Sequence, residues 1–213
     1  TEFFRDPEVF GALEERIVPE LFRDRGPDDT IRVWSVGCST GEEAYSIGML
    51  LLEEANRHEL PPQLSVFASD LHDGSLKRAR EGVYPESIRT DVSEKRLSRF
   101  FVRENDNYRV RKEVREIIVF APHDLLKDPP FSHLDLIVCR NLLIYLQRDV
   151  QEDVASAFHY ALKPRGWLLL GTSESMDGSS LFSLDEKSLS IYRREDVPVR
   201  PLRLSGTSQP LGS

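Results

Sequence analysis

Ile31-Arg-Val-Trp-Ser-Val36 runs straight into Gly37-Cys38-Ser39-Thr40-Gly41-Glu42-Glu43, and this junction decides the fold. The first six residues are rich in β-branched and aromatic side chains, the composition of a buried strand. Five small residues then turn the chain. From about Glu42 to His58, Ala44, Ile47, Leu51 and Ala55 fall on one helical face. Leu64 to Ser69 reads as a second strand closed by Asp70, and Asp73 opens another helix through about Glu81. Strand, glycine loop, helix, strand, acid, helix is a βαβ crossover, a unit whose hand is right-handed almost without exception.

The pattern extends both ways. Upstream, Asp6-Pro7 followed by Val9, Phe10, Leu13, Ile17, Leu21 and Phe22 predicts an amphipathic helix that Pro19 should kink or divide. Downstream, Ile117 to Ala121 and Leu134 to Cys139 are short apolar runs of the kind buried in parallel sheets. A helix is predicted over about Val150 to Leu162, a turn at Pro164-Arg165-Gly166, and a strand at Trp167-Leu168-Leu169-Leu170. Leu189 to Tyr192 reads as a final strand pairing antiparallel at the sheet edge. Between Tyr84 and Arg115 the pattern breaks into two short helical patches and a hairpin, Phe101-Val102 and Tyr108 to Val110 around a polar turn. The expected fold class is α/β: one Rossmann-like, doubly wound domain over residues 1–195. Its mostly parallel sheet should carry an antiparallel edge strand and, at about 85–115, a small β-hairpin insertion. Residues 196–213, rich in Pro, Ser and Gly, are expected to form a flexible tail, and the abrupt ends suggest a piece of a longer chain.

Composition narrows the function. The 213 residues are 39% hydrophobic and 30% charged, enough for one full-sized core. The net charge of -8, from 28 basic and 36 acidic side chains, opposes a role on a phosphate backbone. The short basic clusters, Lys77 to Arg80 and Arg109 to Arg115, are interleaved with acids. No apolar run approaches the ~20 residues of a membrane span, and no signal-peptide pattern opens the chain. Cys38 and Cys139 lack CxxC spacing, which fits a reducing cytoplasm. The five histidines share no metal-ligand spacing, so no metal is expected.

In an open α/β sheet, ligands sit beyond the carboxyl ends of the strands where the strand order reverses. The loop from Gly37 to Gly41 occupies such an end, where small residues admit a ligand to the backbone and N–H groups of the helix start can donate. A plain turn with a helix cap would use the same residues. Asp70, at the end of the second strand, is placed to accept from vicinal ribose hydroxyls, although Asp also favours turn caps. Nicotinamide dinucleotides and S-adenosylmethionine both carry such a ribose. Glu42 and Glu43 discriminate between them. Two carboxylates would repel a pyrophosphate, whose loop also prefers GxGxxG, but favour a ligand with ammonium and sulfonium charges.

These residues carry a family pattern. Thr1-x-Phe3-Phe4-Arg5-Asp6, Gly37 to Ser46, Ala68-Ser-Asp70, Ala79 to Tyr84, Cys139-Arg-Asn-Leu-Leu-Ile-Tyr145, Leu162-Lys-Pro-Arg-Gly166 and Gly171-Thr-Ser-Glu174 resemble, in order, the CheR methyltransferase domain. The resemblance spans roughly Thr1 to Arg193. It implies a cytoplasmic enzyme that uses S-adenosylmethionine, leaves S-adenosylhomocysteine and esterifies glutamate γ-carboxylates on chemoreceptor helices. It implies that Thr1, Arg5, Gly37, Glu43, Asp70, Asp124, Leu125, Cys139 and Arg140 bind cofactor, and that Arg5, Arg140 and Tyr145 surround the reacting carboxylate. The wording of Asp128-Pro-Pro-Phe131 and of Cys139 to Tyr145 also resembles the methyltransferase module of hybrid regulators, which implies flanking domains in a longer chain. Three departures stand out. The helical N-terminal domain with which the family usually starts is not in this sequence. Asp124 occupies a position where the best-known members have Asn. The turn over Glu104 to Asn107 looks shorter than in members that dock a receptor's C-terminal pentapeptide, so a tether-independent enzyme is expected.

The chemistry suits that set. A glutamate carboxylate with a reference pKa near ~4.3 is already ionised at neutral pH, so methyl transfer requires position rather than a general base. Arginine forks orient carboxylates, provided that one oxygen stays free to attack. Arg140, just past a strand end, and Tyr145, five residues on, suit the task; the plainer alternatives are a surface ion pair and a packed aromatic. Cys38 and Cys139 should flank the cofactor as space-filling residues, a cofactor-protected thiol being the lesser alternative. Competing functions are a different carboxylate acceptor and a non-enzymatic sensory module that binds S-adenosylmethionine or its product. A dehydrogenase is further off, because the loop chemistry is wrong.

Overall fold

In the computed structural model, residues 1–198 are described, so most of the expected 196–213 tail lies outside them. The chain opens with Phe3 and Phe4, both buried, and turns at Asp6 into α1 (Pro7–Ala12) with Pro7 at its start. The expected kink at Pro19 does not appear as a break. A π-helical turn, Leu13–Ile17, carries α1 into α2 (Val18–Phe22), and the Val18 N–H reaches back five residues to the Leu13 carbonyl. Proline lacks an N–H and clashes with the carbonyl four residues earlier, and widening the preceding turn relieves that conflict.

The predicted crossover forms as β1 (Thr30–Val36), α3 (Glu42–Ala55), β2 (Gln63–Asp70) and α4 (Asp73–Glu81). Then comes the insertion: β3 (Val83–Pro85), a 3₁₀ turn Glu86–Thr90, α5 (Glu94–Phe100), β4 (Phe101–Glu104) and β5 (Asn107–Val110). The expected hairpin is β4–β5, but Val83 to Pro85 pairs with β5 as a third strand. Phe3 packs edge-on against Tyr84 and Phe101, joining this small sheet to the start of the chain.

The chain returns through α6 (Lys112–Glu116), β6 (Ile118–Pro122), β7 (Leu134–Cys139), a 3₁₀ turn Leu143–Tyr145, α7 (Arg148–Ala161), β8 (Leu162–Leu170), β9 (Phe182–Glu186) and β10 (Ile191–Arg194). The main sheet has seven strands in the order β6-β2-β1-β7-β8-β10-β9, all running the same way except β10, which is antiparallel to both its neighbours, β8 and β9. Two details depart from expectation. Pro164-Arg165-Gly166 does not turn the chain out of the sheet. It lies within β8 as a bulge: Leu162 faces Leu134 while Trp167 already faces Leu136, and Arg165 adopts φ 61. The strand expected at Leu189 to Tyr192 is β10, one place in from the edge. The edge itself is β9, whose Ser183, Asp185 and Glu186 mask its alternation.

Side chains alternate across the sheet into two cores. One gathers Val33, Val66, Leu136 and Leu169 under α1–α3 and the small sheet. The other gathers Trp34, Ile137, Phe158 and Leu168 under α7. Trp34 is fully buried, donates from Nε1 to Ser69 Oγ at 2.8 Å and meets His123, Phe131 and Phe158 edge-on. Among the described residues no helix is long and apolar enough to cross a membrane.

Candidate functional site

The strand order reverses between β1, which leads outward to β2 and β6, and β7, which leads to β8. Val36 and Cys139, the last residues of β1 and β7, lie side by side there. Beyond them is a cavity of about 140 Å³ lined by Thr1, Glu2, Arg5, Gly37, Cys38, Ser39, Glu43, Arg140 and Asn141. A larger cavity, about 260 Å³, lies between α7 and the segment from Ser175 to Leu181, but no expected cofactor residue lines it. We take the smaller one as the site, because it sits at the topological switch.

The glycine loop is shaped by three left-handed residues, Gly37 at φ 70, Ser39 at φ 48 and Gly41 at φ 95. A Cβ on Gly41 would sit 2.9 Å from that of Ala79 and 3.2 Å from the Phe120 ring, so only glycine allows α3 to start this close to α4. The loop's N–H groups are less available than expected. Cys38 donates to the Ser69 carbonyl at 2.9 Å, Gly41 to the Cys38 carbonyl at 2.9 Å, and Ser39 to Asp70 Oδ2 at 2.7 Å. Asp70 Oδ1 accepts from the His72 N–H at 2.9 Å. Asp70 therefore pins the loop, and each of its oxygens keeps a lone pair for a hydroxyl.

Glu43 and Arg140 form the inner wall. The Glu43 side chain is 16% exposed; it accepts from Ser35 Oγ at 2.8 Å and faces Arg140 Nη1 at 3.4 Å. Burial raises its pKa, with Arg140 pulling the other way. Arg140 is not the surface ion pair of the plainer reading, since its side chain is only 3% exposed. Nη2 donates to the Arg5 carbonyl at 3.1 Å and to the Asp6 carboxylate, while the buried Nε has no partner. The Arg5 side chain and Thr1 are exposed at the cavity mouth.

The other expected residues stand apart. Tyr145 is 79% exposed on the 3₁₀ turn and lines neither this cavity nor a core, which excludes the packed-aromatic reading. Asp124 and Leu125 follow β6, whose Pro122 pairs with Asp70. Asp124 accepts from the Leu126 N–H at 3.0 Å and pairs with Lys127 at 3.0 Å, and that pairing lowers its pKa. It is thus an anion that can only accept, where an Asn could also donate. Leu125 packs against the second core. Cys139 is wholly buried at the end of β7; Cys38 is buried but borders the cavity. Burial, with Asp70 and Glu43 nearby, pushes the Cys38 thiol up to about 12, and burial likewise raises Cys139. Neither has the thiolate character a sensitive cysteine needs. Among the described residues no three His, Cys, Asp or Glu side chains gather to hold a metal ion.

Sequence reasoning gave no role to Ser35, Asp6, Gln151 or Glu174. Ser35, a polar residue inside an apolar strand, was the one legible signal. Asp6 looked like a helix entrance, and nothing local marks the partners of Glu174.

A doubly wound sheet with a cavity at its switch point, where buried Glu43 faces Arg140, and with a carboxylate at the end of the neighbouring strand, defines a nucleoside-ligand domain. More particularly, the chain belongs to the CheR methyltransferase, SAM-binding domain family, whose model matches residues 1–188. A Rhodobacter capsulatus protein described as "Uncharacterized 104.1 kDa protein in hypE 3'region" is 42% identical over 83% of this chain and 18% of its own length. A chemotaxis protein methyltransferase of Listeria monocytogenes is 36% identical over 83% of this chain and 65% of its own. That of Borreliella burgdorferi is 32% identical over 84% and 65%. The chain thus spans less than two thirds of each of these relatives.

Proposed function

We propose that this chain transfers the methyl group of S-adenosylmethionine to glutamate γ-carboxylates on the cytoplasmic helices of chemoreceptors, giving methyl esters and leaving S-adenosylhomocysteine. The observation that carries the reading is the enclosed Glu43 carboxylate at the end of the cavity, with the Asp70 carboxylate one strand away. Glu43 suits an ammonium group and Asp70 a ribose diol, and an anion enclosed in this way favours a cation. Bound there, S-adenosylmethionine supplies an electrophilic methyl group on a sulfonium.

The residues' own work is binding and orientation. Arg5 at the mouth and Arg140 behind it can draw an acceptor carboxylate inward, and Tyr145 on the rim can donate to one of its oxygens. Arg140 is already held by Asp6 and Glu43, which tempers its pull on the nucleophile. Holding nucleophile and methyl carbon in line accounts for roughly 7–11 kcal/mol of such a barrier. The acceptor class rests on family membership and on relatives whose names say chemotaxis; we extend it to a cytoplasmic, pentapeptide-independent enzyme working within a longer chain.

One observation favours a second reading, a sensory module that binds the ligand without turnover. Both terminal nitrogens of Arg140 are engaged while Tyr145 stands outside the cavity. Calorimetric titration with S-adenosylmethionine and S-adenosylhomocysteine tests the site: micromolar binding is expected, and Asp70→Ala should abolish it. Base-labile methyl incorporation into a chemoreceptor cytoplasmic fragment then separates enzyme from sensor. Binding without incorporation would leave the sensor.

A further inference from the structure

We propose that Glu174 is a positioning residue for the acceptor side of the site, fixing through the backbone the loop that carries Arg140 and Tyr145. The assignment rests on the functional reading above. Glu174 lies 35 residues beyond the end of β7, is 5% exposed, and binds no side-chain cation among the described residues. Its carboxylate instead accepts five backbone N–H groups. Oε1 takes those of Leu142 at 2.8 Å, Leu143 at 2.6 Å and Ile144 at 3.3 Å. Oε2 takes those of Asn141 at 2.9 Å and Gly171 at 2.7 Å.

Four consecutive amides, 141 to 144, thus converge on one anion, in the stretch that begins at Arg140 and ends at Tyr145. A carboxylate offers about four lone-pair sites, so this one is saturated. The other side of the same turn is held as well: Gln151 Nε2 donates to the carbonyls of Leu143 and Leu146, both at 3.0 Å. The seat is shaped for the carboxylate. A Cβ on Gly171 would lie 2.7 Å from Glu174 Oε2 and 3.1 Å from the Asn141 nitrogen.

A rim turn whose Asn141, Ile144 and Tyr145 are exposed could satisfy its amides with water. Burying an anion beneath it instead carries a desolvation cost that only full hydrogen bonding offsets. What the arrangement gains is rigidity at both ends of the segment. It also absorbs the charge of Glu174 in the backbone, so the guanidinium of Arg140 is not drawn toward it. The amide of a Gln at this position would point a donor at N–H donors, and the turn would loosen.

The test uses the chain as it stands, with a purified chemoreceptor cytoplasmic fragment and S-adenosylmethionine. Glu174→Gln should lower kcat by on the order of 10–100-fold, the scale of a small misplacement, with KM for S-adenosylmethionine and calorimetric affinity for S-adenosylhomocysteine changed by less than about threefold. Combined with Tyr145→Phe the losses should be non-additive, since both act through one turn; a merely structural role would give additive losses. Gln151→Met, which loosens the turn from its carbonyl side, should reproduce the kcat effect if Glu174→Gln does not fold. Methyl transfer by the parent chain with an undiminished kcat in both variants, or with additive losses, overturns the positioning role alone. Ligand binding by the parent chain without methyl transfer overturns the functional reading, and this assignment falls with it.

Discussion

Glu43 is where the charge of the site is set. Burial raises its pKa above the ordinary ~4.3, because the fold penalises the charged form relative to the unfolded chain while Arg140 opposes the shift. Its contribution to stability is therefore greatest below the ordinary carboxylate value and fades as pH rises through the raised one. Affinity for a cationic ligand must run the other way, failing as pH falls through that raised value. Calorimetry with S-adenosylmethionine across an acid-to-neutral series should show this slope, and Glu43→Gln should both weaken binding by about tenfold and flatten it. A pH-independent affinity in the parent chain would remove Glu43 from the ligand's ammonium. The strand–loop–acid spacing marked Asp70 and the Glu42-Glu43 pair, and the family resemblance singled out Glu43 within that pair. The role of Glu174 was not legible, since its partners lie about 30 residues away and only the folded sheet brings them together. Arg140 was legible as a residue but not as a buried one, because Asp6 approaches it only when the first turn packs down.

At the scale of elements, strands and helices with unbroken apolar runs were readable to within a few residues. Those whose pattern is interrupted were not. Pro164 to Gly166 has the composition of a turn, yet β7 holds it as a bulge, and the polar faces of β9 hide an edge strand. That bulge lies near a second charged cluster at the amino end of β7, far from the cavity. Asp135, 3% exposed, accepts from Arg25 at 2.6 Å, from Lys163 at 3.0 Å and from the Arg32 N–H at 2.8 Å. Removing the acid leaves two cations and a strand amide without their partner, so Asp135→Ala should cost about 3 kcal/mol in urea unfolding. With Cys139 some 13 Å along the strand, at ~3.3 Å per residue, affinity for S-adenosylhomocysteine should not change. A loss of affinity at unchanged stability would reverse that division between scaffold and site.

Over the whole molecule, the first and last elements close on one another. Arg193, on β10, holds both carboxylate oxygens of Glu20 at 2.7 Å and lies over the Trp167 ring, while Arg16 reaches Asp185 and Glu186. Arg193→Ala should lower stability by roughly 1 kcal/mol while keeping a single cooperative transition, because the two cores share one sheet; two separated transitions in calorimetry would mean that they do not. The chain's two tryptophans fall on opposite sides of this arrangement. Trp167 is capped by arginine beside the first helix, whereas Trp34 touches the imidazole of His123, next to Asp124 in the segment that follows β6. Their emission is thus divided by location: light from Trp34 is a built-in, label-free gauge of that segment, with Trp167 as an internal reference on the opposite face of the sheet.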